Sequence, residues 1–212
     1  MSGKTSEEIR QAILHIVEIE WEMFQKVNNI GGRASCQNDK TTFEIMRLSQ
    51  YSSWTVEMIR SYECDLTSAE QVGRNLVMEK YAYMMEYTDS AYFEANLASS
   101  LPKTDAETMA IIREIVDYLV DCETALSRTF PKLSRAGRPI ASKDDSFGAT
   151  SMETYAIGEL KTYSRTTLEL YLGHVRKCKA AGINLALTVK EMMVSLYGYA
   201  SMDDAERNCF EH

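Results

Sequence analysis

The chain has 212 residues, 45% of them hydrophobic, with 3 Pro and 10 Gly: enough apolar material for a packed core and too little breaker content for disorder. A formal net charge of −8 argues against a dedicated nucleic-acid binder, which would carry a basic stripe. No apolar run approaches the roughly 18 residues of a membrane helix, and the opening MSGKTSEEIR is not a signal peptide, so the expectation is a cytoplasmic protein with no membrane partner.

Helix-start signals recur along the chain. Thr followed three residues later by Glu is a capping box, and it occurs at Thr5/Glu8, Thr41/Glu44, Thr67/Glu70, Thr104/Glu107 and Thr150/Glu153. With apolar spacings of three and four, these predict helices at about 6–28, 42–72, 75–90, 105–129, 151–180 and 184–198, and a short tail helix from about 202. No alternating run suggests a strand. The fold class is all-α.

The first helix sets Ile9, Ile13, Ile16, Val17, Phe24 and Val27 on one face, with Glu20 in its middle and His15, Glu18 and Glu22 opposite. A polar loop follows, from Asn28 through Gly31-Gly32-Arg33 to Cys36 and Gln37. The second helix places Arg47 between Trp54 and Met58 on its wheel, with Gln50 close to Phe43. Gly73-Arg74-Asn75-Leu76 then reads as a left-handed helix end followed by an Asn cap. The third helix places Lys80 between Tyr87 and Met84. After the fourth comes the connection from Pro131 to Gly148, with Gly137-Arg138-Pro139 inside it. The fifth carries Glu159 within a face of Met152, Tyr155, Tyr163 and Leu170, and Gly182-Ile183-Asn184-Leu185 repeats the earlier turn.

These echoes share a register. A shift of 109 residues maps Thr41 onto Thr150, Gln50 onto Glu159, Trp54 onto Tyr163, Tyr62 onto Tyr171, Gly73 onto Gly182 and Asn75 onto Asn184. The reading is one helical domain over 1–212, a six-helix bundle of two pseudo-symmetric three-helix halves (about 6–100 and 104–200) sharing one core.

Polar groups on apolar faces need partners. Glu20, Arg47, Gln50, Lys80 and Glu159, with Tyr155 and Tyr163 nearby, form a candidate buried set between the halves. One reading is structural, a set of buried pairs that specifies packing. The other is a pocket in which Arg47 and Lys80 hold a small anionic or polar molecule, Gln50, Tyr155 and Tyr163 line it, and a carboxylate raised by burial (Glu159 or Glu20) moves a proton. Arg33 and Cys36 would close over that pocket from their loop, with His174 the internal candidate for a base.

Other chemistry lacks support. The five cysteines include no CxxC pair and their number is odd, which points to reduced thiols. Only His15, His174 and His212 exist, and none follows a Glu by three as a di-iron bundle requires, so neither a metal nor a cofactor is expected. No Walker loop, dinucleotide fingerprint or nucleophile elbow appears.

The strings EIEWEMFQKVNNIGGRASCQND, TFEIMRLSQ, GRNLVMEKYAYMME and TSMETYAIGELKTYS resemble the bacterial family catalogued as domain of unknown function 4125, over about Ile16 to Tyr199. The resemblance implies no activity and no catalytic residue. The functional expectation is a small-molecule-binding helical protein with a polar pocket between its two halves, whether or not it is an enzyme. The alternative is an interaction module that docks on a partner protein or forms a homodimer.

Overall fold

Apolar side chains three and four apart along α1 (Ser2–Gln25) form one buried stripe of Ala12, Ile16, Val17, Met23 and Phe24. The same spacing along α6 (Ala106–Thr129) buries Ile112, Ile115, Val116, Cys122 and Leu126. The computed structural model describes residues 2–28, 32–146 and 149–208, with side chains from Glu7 onward. Asn29, Ile30, Gly31, Phe147, Gly148, Cys209 and His212, some of them part of the loop and cysteine readings above, lie outside the described residues.

Eleven α-helices appear among the described residues, and no strand. They are α1, α2 (Lys40–Ser52), α3 (Val56–Gln71), α4 (Leu76–Thr88), α5 (Ser90–Asn96), α6, α7 (Pro131–Arg135), α8 (Met152–Leu160), α9 (Arg165–Ala180), α10 (Leu185–Leu196) and α11 (Met202–Asn208). The two longest expected helices are each broken. Between α2 and α3, the Ser52 and Ser53 hydroxyls donate to the carbonyls of Ser49 and Gln50. Thr55 then starts α3 by accepting from Met58 N. Between α8 and α9, Thr162 donates to the Glu159 carbonyl and Ser164 caps α9 through Thr167 N. Hydroxyls thus satisfy the last carbonyls of one helix and the first amides of the next. Trp54 and Tyr163 turn inward at the two breaks, which keeps the apolar spacing continuous and hides the breaks from a periodicity reading.

The caps also differ from the expected Thr-x-x-Glu pattern. Asp39, Asp105 and Ser151, each one or two residues from the expected threonine, cap α2, α6 and α8. Thr67 lies inside α3 and bonds back to the Glu63 carbonyl, and Thr5 lies inside α1. A short carboxylate or serine beside a β-branched threonine takes the cap with less χ1 restriction. The Gly–Arg/Ile–Asn turns are as expected: Gly73 and Gly182 take φ of +73° and +67°, and Asn75 and Asn184 cap α4 and α10.

α1 packs on α2, α3 and α4, while α6 packs on α8, α9 and α10. The two groups cross over: α4 lies along α8, α2 along α10, and α3 against α9. Gly158 permits the closest approach, since a Cβ there would meet the Lys80 carbonyl and Met84 Cγ at 2.8 Å. α5 covers α4, and α11 bridges α10 and α7, where the Glu206 carboxylate accepts the amides of Lys132 and Leu133. One hydrophobic cluster runs from Ala12 to Ala205. No helix among the described residues is long and apolar enough to cross a membrane.

Candidate functional site

Five helices each bring polar side chains to one point. Glu20 comes from the α1 stripe, Arg47, Gln50 and Tyr51 from the last two turns of α2, Tyr62 from α3, Lys80 from α4 and Glu159 from the end of α8. Arg47 is the hub. Its Nε donates to Glu20 Oε2 at 2.8 Å and its Nη2 to Glu20 Oε1, a bidentate pair. Its Nη1 donates to Gln50 Oε1 at 2.8 Å and to Glu159 Oε2 at 3.1 Å, and Nη2 also reaches the Tyr51 hydroxyl.

The carboxylates are saturated from their other sides. Glu20 accepts from the Tyr51 and Tyr62 hydroxyls, both at 2.8 Å. Glu159 accepts from Gln50 Nε2 at 2.7 Å and the Tyr163 hydroxyl at 2.8 Å. Lys80 Nζ lies 3.4 Å from Glu159 Oε2 and donates to the Tyr155 hydroxyl at 2.7 Å. Glu20 is 2% exposed, and Arg47, Lys80 and Glu159 are each 5% exposed, so two carboxylates and two cations balance with almost no water. The only buried side-chain nitrogen or oxygen without a hydrogen bond among the described residues is Trp54 Nε1, which is not part of this network.

The electrostatics follow. Burial alone would raise the Glu159 carboxyl, but Arg47 and Lys80, helped by Gln50 and Tyr163, hold it well below the usual carboxylate range. Burial would lower Arg47 and Lys80, yet Glu159 and Glu20 push the guanidinium up, and Tyr155 and Glu159 do the same for the ammonium. Burial, reinforced by Glu20 and Glu159, raises the Tyr51, Tyr62 and Tyr163 phenols. The expectation of a carboxylate raised by burial therefore fails at Glu159, because two cations outweigh the lost hydration.

The structure thus assembles Glu20, Arg47, Gln50, Lys80, Glu159, Tyr155 and Tyr163. Tyr51 and Tyr62 were missed. Tyr51 had a signal, sitting four residues after Arg47 on the same helical face. Arg33 does not join them: its guanidinium bonds Asn38 Oδ1 at 2.8 Å, the Gln37 carbonyl at 2.7 Å and Gln25 Oε1, tying the loop to the end of α1. Cys36 is exposed and makes no hydrogen bond to these groups among the described residues. The thiol beside His174 is Cys178, with Sγ 3.6 Å from Nε2, and burial lowers that imidazole.

The outer edge is built from partly exposed rings and a surface cation. Lys80 Nζ is 4.5 Å from the Tyr155 ring centre and 5.2 Å from that of Tyr81, and Arg138 Cζ is 4.7 Å from Tyr155. Two surface clefts lie elsewhere, one between α1 and α3 around His15 and Glu63, the other between α3 and α9 around His174. Among the described residues no group of three or more His, Cys, Asp or Glu is placed to hold a metal ion.

The family model described as "Protein of unknown function (DUF4125)" matches residues 10–207. No curated protein and no solved structure matches the chain.

Proposed function

The chain belongs to that family of unknown function, which brings no chemistry with it, and from the site alone we propose a small-molecule-binding helical protein that takes an anion at the Lys80 end of the ionic cluster. One observation carries this reading. The Lys80 ammonium is buried, makes one short and one long hydrogen bond, and has a third N–H with no acceptor among the described residues. Arg138, which has no carboxylate partner among the described residues, lies against the same Tyr155 ring, 4.7 Å from its centre. The four inner charges cancel, so this edge carries a local surplus of one positive charge on a chain of net charge −8.

Acid–base catalysis by Glu159 is not part of the proposal, since Arg47 and Lys80 hold its carboxyl well below the usual range and leave it neither an acid nor an effective base near neutral pH. Binding at the edge leaves Glu20, Arg47, Tyr51 and Tyr62 as the rigid wall behind the ligand. Free thiols at Cys36, Cys64, Cys122 and Cys178 fit a reducing, cytoplasmic setting.

An internal duplication accounts for where this site lies. Offsets of 109 residues relate α3 to α9 at both ends, Thr55 to Ser164 as caps, and the Gly73–Asn75 turn to Gly182–Asn184. The crossed pairs α2–α10 and α4–α8 exchange under the same relation. Each half then holds four main helices, not three, and Gln50 meets Glu159 as its own counterpart.

Acetate tests the reading. At constant ionic strength it raises the melting temperature of the wild type, and raises it less in Arg138→Ala, where an exposed side chain is removed. No rise, or equal rises, refutes the site.

A second reading is favoured by the dense pairing of Glu20, Arg47 and Glu159 and by exposed Met46 on α2 beside α10, which exposes Met192 and Leu196. In that reading the cluster is structural and the chain docks on a partner or a second copy. Size-exclusion elution across a dilution series decides the homodimer case.

A further inference from the structure

The rings around Lys80 restrict what such an anion can be. Tyr81 is stacked on Phe24, with centres 6.0 Å apart, and Phe24 is stacked in turn on Phe43 at 5.4 Å, so the Tyr81 ring is held in a fixed orientation. Tyr155 is held from below by its hydroxyl bond to Lys80. Two oriented, partly exposed rings therefore flank one buried ammonium.

We propose that the ligand taken at Lys80 is a planar aromatic monocarboxylate, its carboxylate shared by Lys80 and Arg138 and its ring set against Tyr81 and Tyr155. This inference rests on the anion site proposed above and names its ligand class. The surplus of a single positive charge matches a monoanion better than a phosphate dianion. A guanidinium presents paired donors that suit the two oxygens of a carboxylate. Arg138 is exposed, and among the described residues it is held by a 3.2 Å bond from Nη1 to the Thr150 carbonyl and by its contact with the Tyr155 ring, so it can swing off that ring and close again on the ligand. Ring-on-ring contact adds to burial in a way that a saturated ring of similar size does not reproduce.

Calorimetric titration of the full chain with benzoate, cyclohexanecarboxylate and acetate tests it. Benzoate should bind roughly tenfold more tightly than cyclohexanecarboxylate, in line with the worth of an aromatic pair. Acetate should bind most weakly. Tyr81→Leu should remove the difference between the two ring acids, and Arg138→Ala should weaken all three. Equal affinity for the two ring acids in the wild type overturns the aromatic assignment and leaves the anion site standing, whether or not Tyr81→Leu folds. Absence of binding by all three overturns both.

Discussion

Replacing Glu159 by glutamine keeps the shape of the side chain and removes its charge. In the folded protein that charge faces Arg47 at 3.1 Å and Lys80 at 3.4 Å, and each of the three residues is 5% exposed. Arg47 keeps Glu20 in the variant, but Lys80 keeps only neutral acceptors such as the Tyr155 hydroxyl, so one ammonium is left buried without a counter-charge. Breaking a buried pair in this way costs about 3–5 kcal/mol. For a chain of this length about 1 kcal/mol corresponds to roughly 2–4 °C, so Glu159→Gln should melt on the order of 10 °C below wild type at pH 7.

The pH dependence has a definite sign. The folded-state pKa of Glu159 is depressed below its ordinary 4.5, so its contribution is fully present above that value and is lost as pH falls toward the depressed one. Urea midpoints of wild type and variant, followed by far-ultraviolet circular dichroism, should therefore differ by a constant amount from pH 7 to 5 and converge below 4.5. An unchanged or higher melting temperature at pH 7 refutes the reasoning. It would mean that the charge is costly to stability and is kept for another purpose.

Tyr62→Phe deletes one hydroxyl bond to Glu20 and should cost about 1.5–3 kcal/mol, as for a hydrogen bond to a charged acceptor; a loss below a few tenths in urea unfolding contradicts the assigned bond. Gly158→Ala gains helix propensity but drives a Cβ to 2.8 Å from the Lys80 carbonyl, so a net loss of about 1–3 kcal/mol is expected, and a stabilised variant would show that α4 and α8 yield easily. Asn75 and Asn184 each cap a helix and donate across to another, to the Met23 and Cys122 carbonyls. Asn75→Ala and Asn184→Ala should therefore destabilise by similar amounts, about 1–2 kcal/mol each; a large effect from one and none from the other would count against the duplicated design. Arg33→Ala should loosen the loop without moving anion affinity, and a change in acetate binding would return that residue to the site.

Local signals were legible wherever the physics is local. Gly73 and Gly182 could be read as left-handed turns because few residues other than glycine adopt that conformation cheaply, and Asn75 and Asn184 as caps because a short amide reaches the amide three residues on. The amphipathic stripes announced an all-helical fold, and Glu20, Arg47, Lys80 and Glu159 stood out as charges on buried faces that could persist only in one another's company. Three things were not local. The breaks after Ser52 and Leu160 depend on hydroxyls closing helix ends while Trp54 and Tyr163 swing into a core made by other helices. The fates of Arg33 and Cys36 depend on a loop folding back on the end of α1, a contact that no periodicity encodes. The ionisation of Glu159 was decided by a contest between lost hydration and two nearby cations, and the sign of that contest exists only once α2, α4 and α8 have been brought within 3.4 Å of one another's charges.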